Sequence, residues 1–139
     1  MNTTADKPLI DTLIATVQRT SPDLVEVRSK PGAVLSIPGI TAVLHAREEL
    51  GRIGSHCALI VFPEEETDFD MSMITEDHYG GRPVVEFTEA VAWLVRNEHN
   101  ERFTRLYFAY FPSPVPSAIF MEEAEARAWL ATEHPWRGA

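Results

Sequence analysis

The first thirty residues carry the apolar–polar alternation of β-strands. Residues 11–20 (DTLIATVQRT) alternate imperfectly but are rich in β-branched residues, and residues 24–30 (LVEVRSK) alternate cleanly. The sequence SPD at 21–23 is typical of a turn. The pattern therefore predicts a β-hairpin over residues 11–30.

A helical spacing replaces the alternation after the Pro-Gly pair at 31–32. Ser36 is a suitable N-cap, and Pro38 would fall in the first turn, where its missing N–H costs nothing. The apolar residues of one predicted helix face are Ile40, Val43, Leu44 and Leu50. After this helix, residues 56–62 (HCALIVF) form a continuous apolar run, which predicts a central strand covered on both faces.

The second half of the chain predicts further alternation of strands and helices. Residues 63–83 are irregular and acidic, end in Gly-Gly-Arg-Pro, and leave room for one short helix around 71–79. Residues 89–95 fit a strand or a helix by pattern alone. We predict a strand, because a better helix follows at 97–111 and ends at a series of prolines. Residues 117–120 (SAIF) predict a short strand, and 121–134 a helix with acids in its first turn.

Taken in order, these elements predict one α/β domain. We expect a loose polar tail at 1–8 and a single domain at 9–134. Strands that alternate with helices predict a mixed sheet of four or five strands with crossover helices, mostly parallel in its second half.

The stretch RFTRLYFAYFPSPVPSAIFMEEAEARAWLA (102–131) resembles the C-terminal third of SpoIIAA-like (STAS-like) domains. Those domains often end in phenylalanine, acidic residues and Ala-x-x-Trp-Leu. The matching residues here are Phe120, Glu122, Glu123, Ala126, Trp129 and Leu130. The resemblance implies a four- or five-stranded mixed sheet with helices largely on one face, and for these residues themselves a structural role.

The same resemblance implies a regulatory function. Related domains antagonise anti-sigma factors and are switched by phosphorylation of a serine in an Asp-Ser-Ser-Gly-like motif after a central strand. That motif is absent here, and the nearest candidate is Ser72. Asp68, Asp70 and other nearby acids would repel a phosphate at this position, so a helix cap is the favoured interpretation of Ser72.

The amino-acid composition argues against some classes of binding partner. The net charge of −9, from 21 acidic and 12 basic residues, argues against nucleic acid and anionic membrane surfaces, which require clustered Lys and Arg. We find no secretory signal or membrane-spanning run, and expect a cytoplasmic protein. The single cysteine, Cys57, excludes an intrachain disulfide and a multi-cysteine metal site. We predict no cofactor and no metal.

Candidate chemistry lies in TEDHYGG (75–81), where His78 has acidic neighbours. A histidine beside carboxylates can act as a general base, and glycines on an irregular segment are common at sites. The candidate site residues are His78, Asp77, Asp70 and Tyr79. Consecutive residues seldom converge on one metal, and no second histidine follows at i+4, so a surface loop is the competing interpretation.

Two other groups of residues have side chains that could serve a function. His56 and Cys57 are adjacent on a predicted strand, so they should point to opposite faces and not form a nucleophile–base pair. The aromatic helix face contains Phe103, Tyr107 and Tyr110, which are candidates for core packing, for an apolar pocket or for an interface with a second copy or another protein.

Two hypotheses about function follow. The first is a non-enzymatic binding or regulatory module of the SpoIIAA-like kind that acts through protein contacts or a small apolar ligand. The alternative is a small enzyme with its site in residues 63–83, using His78 and a neighbouring carboxylate.

Overall fold

The strands of the described residues form a single six-stranded sheet. The computed structural model describes residues 8–34, 36–52, 54–67, 87–110, 112 and 115–133. The strands are β1 (Leu9–Asp11), β2 (Ala15–Ser21), β3 (Leu24–Ser29), β4 (His56–Val61), β5 (Thr88–Leu94) and β6 (Ser117–Phe120). The helices in the described residues are α1 (Ile37–Gly51), α2 (Glu98–Tyr110) and α3 (Glu123–Glu133).

The sheet changes from antiparallel to parallel at its third strand. Its strand order is β1-β2-β3-β4-β5-β6. The first three strands are antiparallel, and β3 to β6 pair in parallel, with α1 connecting β3 to β4 and α2 connecting β5 to β6. The predicted α/β class, mixed sheet, hairpin and crossover helices are confirmed. The predicted count of four or five strands is wrong, because Leu9–Asp11 pairs with β2 as a sixth, three-residue strand.

Local sequence signals account for the start of α1. The Ser36 side chain accepts a hydrogen bond from the Gly39 N–H at 3.3 Å, and Pro38 lies in the first turn. The hydroxyl thereby satisfies one of the N–H groups that a helix start leaves without an intrahelical partner. The predicted cap of this helix is confirmed.

The ambiguous segment at 89–95 is a strand, as predicted. Most of its length forms β5, which lies between β4 and β6 in the sheet. The predicted strand at 117–120 and the helices on either side of it are also confirmed. The predicted tail, except residue 8, and the short helix considered around 71–79 lie outside the described residues.

The helices cover different faces of the sheet. Val43 and Leu50 of α1, together with Phe103 of α2, pack on the face that carries Val27 and Ile60, which we call the α1–α2 face. On the opposite side, the α3 face, the buried residues are Leu24, Cys57, Leu59, Val61, Ala90, Ala92, Leu94, Ala126 and Leu130. His56 contacts Phe87 on the first side, whereas Cys57 is buried on the second, so the predicted divergence of these neighbours is confirmed.

Ion pairs connect β3 to the start of α3 at the margin of the α3 face. The Glu26 carboxylate accepts from Arg28 at 2.7 Å and from Arg127 at 3.1 Å, and Glu123 lies within 3.1 Å of both arginines. Burial alone would raise the pKa of Glu26, but hydrogen bonds from Arg28, Arg127 and the hydroxyl of Thr20 outweigh it and hold this pKa below 4.5. The carboxylate is therefore charged at neutral pH and joins strand to helix.

A candidate ligand cavity

A cavity of about 70 Å³ lies between α1, α2 and the sheet, and we call it the α1–α2 cavity. The strands and the residues next to them contribute Ile14, Ala15, Val27, Ser29, Ile60, Phe62 and Trp93 to its wall. The helices contribute Ile40, Val43, Leu44, Arg47, Phe103, Thr104, Tyr107 and Phe108. Most of this wall is apolar, and the few polar groups are hydroxyls and one guanidinium.

Aromatic rings form the side of the cavity next to β5 and α2. The Trp93 ring meets Phe108 edge-to-face at a centroid distance of 5.2 Å, and Phe108 meets Tyr107 at 5.6 Å. Phe62 lies 6.4 Å from Trp93 on the other side. Such edge contacts are favourable pairings of aromatic quadrupoles. The rings therefore form one continuous aromatic side of the cavity.

Arg47 is the charged member of this wall. Its residue is only 1% exposed, although it belongs to a helix. Its Nη2 donates to the Thr88 hydroxyl at 2.8 Å, and its guanidinium carbon lies 5.7 Å from the centre of the Phe87 ring. The guanidinium is thus oriented by its hydrogen bond to Thr88, at the amino end of β5, and by the aromatic face of Phe87.

A bulge in β5 places Thr88 where Arg47 can reach it. His56 of β4 is opposite Thr88, but Ala58 is opposite Val91, so β5 contains one residue more than β4 over this interval. An extra residue bends the strand and re-aims its side chains. The bulge therefore turns Thr88 and its preceding Phe87 toward α1.

His56 lies beside this cluster and is fully buried. Neither of its ring nitrogens makes a hydrogen bond of normal geometry among the described residues, although the Gly54 backbone lies close enough to act on the ring. Burial, together with the nearby charges of Arg47 and Arg19, lowers the pKa of His56 from 6.5 to about 3, although the Gly54 backbone opposes the shift. His56 is therefore neutral at physiological pH, and its surroundings are electropositive.

The second buried arginine, Arg19, has a structural role. Its guanidinium donates to the carbonyl oxygens of Leu50 at 2.6 Å and Gly54 at 3.0 Å, and also to that of Pro22. These bonds join β2 to the end of α1 and to the loop before β4. Carbonyl groups from three segments thus surround Arg19, whereas Arg47 is one of the residues that line the cavity.

The chain that leaves β4 is attached to the start of α2. The buried Asn100 side chain accepts from the Thr67 N–H at 3.0 Å and donates to the Glu65 carbonyl at 3.2 Å. Asn97 caps the helix by accepting from the Asn100 N–H and also donates to the Glu64 carbonyl at 3.0 Å. The first residues of the predicted 63–83 site segment are therefore held on α2 by backbone contacts.

The remaining predicted site residues divide into two groups. His78, Asp77, Asp70, Tyr79 and Ser72 lie outside the described residues, so the catalytic and phosphorylation hypotheses stay predictions. Of the interface candidates, Phe103 and Tyr107 line the cavity and Tyr110 is 61% exposed. The helix face that the sequence singled out is thus divided between a cavity wall and the surface.

From the sequence, Arg47 was not identified as a site residue, although its position on the predicted apolar face of α1 could have pointed to it. Arg47 follows Leu44 by three positions and Val43 by four, which places it on the predicted apolar face of α1. A charged residue at a core-facing helical position is a reason to look for a buried partner or a ligand. The groups that hold its guanidinium lie forty residues further along the chain.

Comparisons with protein-family models, with curated proteins and with solved structures found no match. Among the described residues, no three His, Cys, Asp or Glu side chains come together as metal ligands would. None of the described helices has the length and apolar composition that a bilayer crossing requires.

Proposed function

We propose that this protein is a non-enzymatic binding module for a small, mainly apolar ligand, which occupies the α1–α2 cavity. The observation that carries the proposal is the partly open apolar space between two helices and a sheet, with few polar groups in its wall. Ligand sites in proteins are typically of this kind: concave, mostly apolar, largely pre-formed and supplied with a small number of polar groups that fix orientation.

The size of the cavity restricts the ligand. An engineered apolar cavity of roughly 150 Å³ stays dry and binds benzene. At about 70 Å³, the α1–α2 cavity is suited to a short alkyl chain or to one end of a larger molecule. Close packing elsewhere in the core means that a bulkier group would have to displace side chains, at a cost in stability.

Membership of the SpoIIAA-like group is part of the proposal. It is supported by the alternation of strands and helices after the hairpin and by the packing of the residues that carry the resemblance. Phe120 and Trp129 are in contact at a ring distance of 5.7 Å, and Ala126 and Leu130 are buried on the α3 face. We propose that a bound ligand regulates the protein contacts through which such a module acts.

Binding of short alkanols tests the proposed function. We expect ligand-observed NMR to show binding of members of the series from butanol to octanol by the wild-type protein. Val43→Phe, which places a ring in the cavity, should abolish binding, because Val43 is part of the wall. Val34→Phe makes the same change at a residue that is 48% exposed and should bind as the wild type does.

Two results would overturn the proposal. The first is a folded wild-type protein that binds no alkanol of the series. The second is a folded Val43→Phe variant that binds as tightly as Val34→Phe, which would place the binding site elsewhere. Dispersed amide signals in the NMR spectrum establish folding in each case.

A further inference from the structure

A second space borders the α1–α2 cavity, between α2 and the strand β6. It is an open groove of about 520 Å³, and its wall includes Arg105 and Ala109 of α2 and Ser117 and Ile119 of β6. We call it the α2–β6 groove. Its wall mixes apolar and polar side chains, whereas most of the wall of the α1–α2 cavity is apolar.

Two aromatic residues are shared by the cavity and the groove. Trp93 of β5 and Phe108 of α2 line both spaces, and their rings meet edge-to-face at 5.2 Å. Along α2, Phe108 lies between the positions on the cavity side, such as Thr104, and those on the groove side, such as Ala109. One pair of rings beneath the helix thus forms the boundary between the two spaces.

The register of the sheet gives the direction and length of a path across this boundary. Ile60, Trp93 and Ile119 are neighbours in register on β4, β5 and β6. Ile60 lines the cavity, Ile119 lines the groove, and Trp93 lines both. Because neighbouring strands lie about 4.8 Å apart, this row of three residues spans about 10 Å. An alkyl chain of medium length can cover that distance, although the cavity alone holds only one end of it.

The side chain of Trp93 is the part of the boundary that a ligand can displace. Its indole N–H is buried and makes no hydrogen bond among the described residues. A buried donor without an acceptor costs free energy, so a movement of this ring breaks no hydrogen bond and can relieve that cost. The backbone of Trp93 remains paired with β4 and β6, which confines the movement to the side chain.

We propose that the α1–α2 cavity and the α2–β6 groove form one extended site for a single-chain amphiphile, a molecule with an unbranched alkyl chain and a terminal polar group. The end of the chain occupies the cavity, the chain passes the Trp93–Phe108 boundary, and the polar group lies in the open groove. The polar group thereby keeps its contact with water and is not desolvated. This inference rests on the proposed function, since it extends the site of the same ligand.

The length of the chain tests the extended site. Butanol, hexanol, octanol and decanol would be titrated into the wild-type protein below their solubility limits, and their dissociation constants determined by NMR or calorimetry. We expect the dissociation constant to fall about twofold to fourfold for each added CH₂ through the whole series, as burial of these groups allows. A site limited to the cavity would give no further gain once the chain fills it.

Contacts with the bound chain identify the two parts of the site. In methyl-labelled protein, butanol should give intermolecular NOEs to Val43, which lines the cavity, and none to Ile119, which lines the groove. Decanol should give NOEs to both residues, because its chain crosses the boundary.

A matched pair of variants tests the groove separately from the cavity. Ala109→Trp places a ring in the groove from an exposed position of α2. It should raise the dissociation constant of decanol about tenfold or more and leave that of butanol unchanged, because only the longer chain enters the groove. Ala131→Trp makes the same change at an exposed position of α3, which packs on the opposite face, and should leave both constants unchanged.

The outcomes separate failure of this inference from failure of the proposed function. Absence of binding by all four alkanols would overturn the binding function itself. An affinity that stops rising after hexanol, or decanol NOEs that do not include Ile119, would overturn the extended site and leave the cavity as the whole site. Equal affinities of Ala109→Trp and Ala131→Trp for decanol would also overturn it. If Ala109→Trp does not fold, the chain-length series and the NOEs still decide the question.

Discussion

The two faces of the sheet bury different kinds of residue. On the α3 face, alanines of β5 and α3 allow the helix to approach closely, and charged residues are kept to the margin. On the α1–α2 face, larger aromatic residues and two arginines are buried, and they leave a cavity between the helices. The comparison indicates that one face is packed mainly for stability, while the other buries groups that cost stability, as the proposed binding function would require.

Truncation of a buried leucine on the α3 face should have the largest effect on stability. Leu130 is 1% exposed between α3 and the sheet. Leu130→Ala is expected to lower the free energy of unfolding by about 2–5 kcal/mol, since the lost transfer energy and the new cavity both contribute. Leu106→Ala, at a residue of α2 that is 44% exposed, is the matched control and should cost less than about 1 kcal/mol.

Denaturant titration of both variants measures this difference. A loss of similar size in the two leucine variants would show that the α3 face is not closely packed. The inferred difference in packing between the two faces would then be wrong.

The buried histidine of the α1–α2 face should make stability depend on pH. The pKa of His56 is about 3 in the folded protein and 6.5 as the ordinary value, so between these pH values the unfolded chain binds more protons. Stability is therefore complete above pH 6.5 and falls as the pH decreases, by about 1.4 kcal/mol per pH unit for this one group. His56→Leu should remove this slope between pH 6 and pH 5, where few carboxylates titrate.

The same variant tests whether the histidine contributes to stability at neutral pH. Because neither ring nitrogen makes a hydrogen bond of normal geometry among the described residues, His56→Leu should cost little stability at pH 7. Unfolding at a series of pH values gives both results. An unchanged slope in the variant would show that another group is responsible.

A larger side chain should cost more stability on the α3 face than on the α1–α2 face. Ala92 is fully buried on the α3 face, and Ala92→Val is expected to cost about 1–3 kcal/mol by overpacking. Val43→Phe adds a larger group on the other side, but the cavity can accept part of it, so the expected cost is below about 1 kcal/mol. Equal costs in denaturation experiments would contradict the presence of usable space between α1 and α2.

The sequence predicted those parts of the fold that depend on local signals. The cap at Ser36, the continuous apolar run of β4 and the proline-bounded strand β6 are each specified by a few neighbouring residues. The short strand β1 was missed because three residues carry too little periodicity, and its strand character arises only from pairing with β2.

The candidate site depends on contacts between distant residues, and this is why it was missed. Burial of Arg47 requires a hydroxyl and a ring that a bulge in β5 presents, 41 positions further along the chain in the case of Thr88. Neither the bulge nor the gap between two helices can be deduced from a pattern within one element. Phe103 and Tyr107 were identified as notable, but their position in a cavity wall follows only from the packing of α2 beside α1.

The ion pairs at the margin of the α3 face should have the smallest effect, and one that depends on pH and salt. Glu26→Gln is expected to lower the free energy of unfolding by about 1 kcal/mol, because Arg28 and Arg127 are partly exposed and still pair with Glu123. The lowered pKa of Glu26 means that this stabilisation is present above pH 4.5 and is lost as the pH falls through the lower folded value.

The difference between wild type and Glu26→Gln should therefore decrease below pH 4.5 and also at high ionic strength, because salt screens partly exposed pairs. Unfolding at two pH values and two salt concentrations measures it. A difference that persists unchanged in acid would mean that Glu26 stabilises the protein through uncharged contacts and not by charge. The margin of the α3 face would then resemble its centre, and the contrast between charged margin and apolar centre would no longer hold.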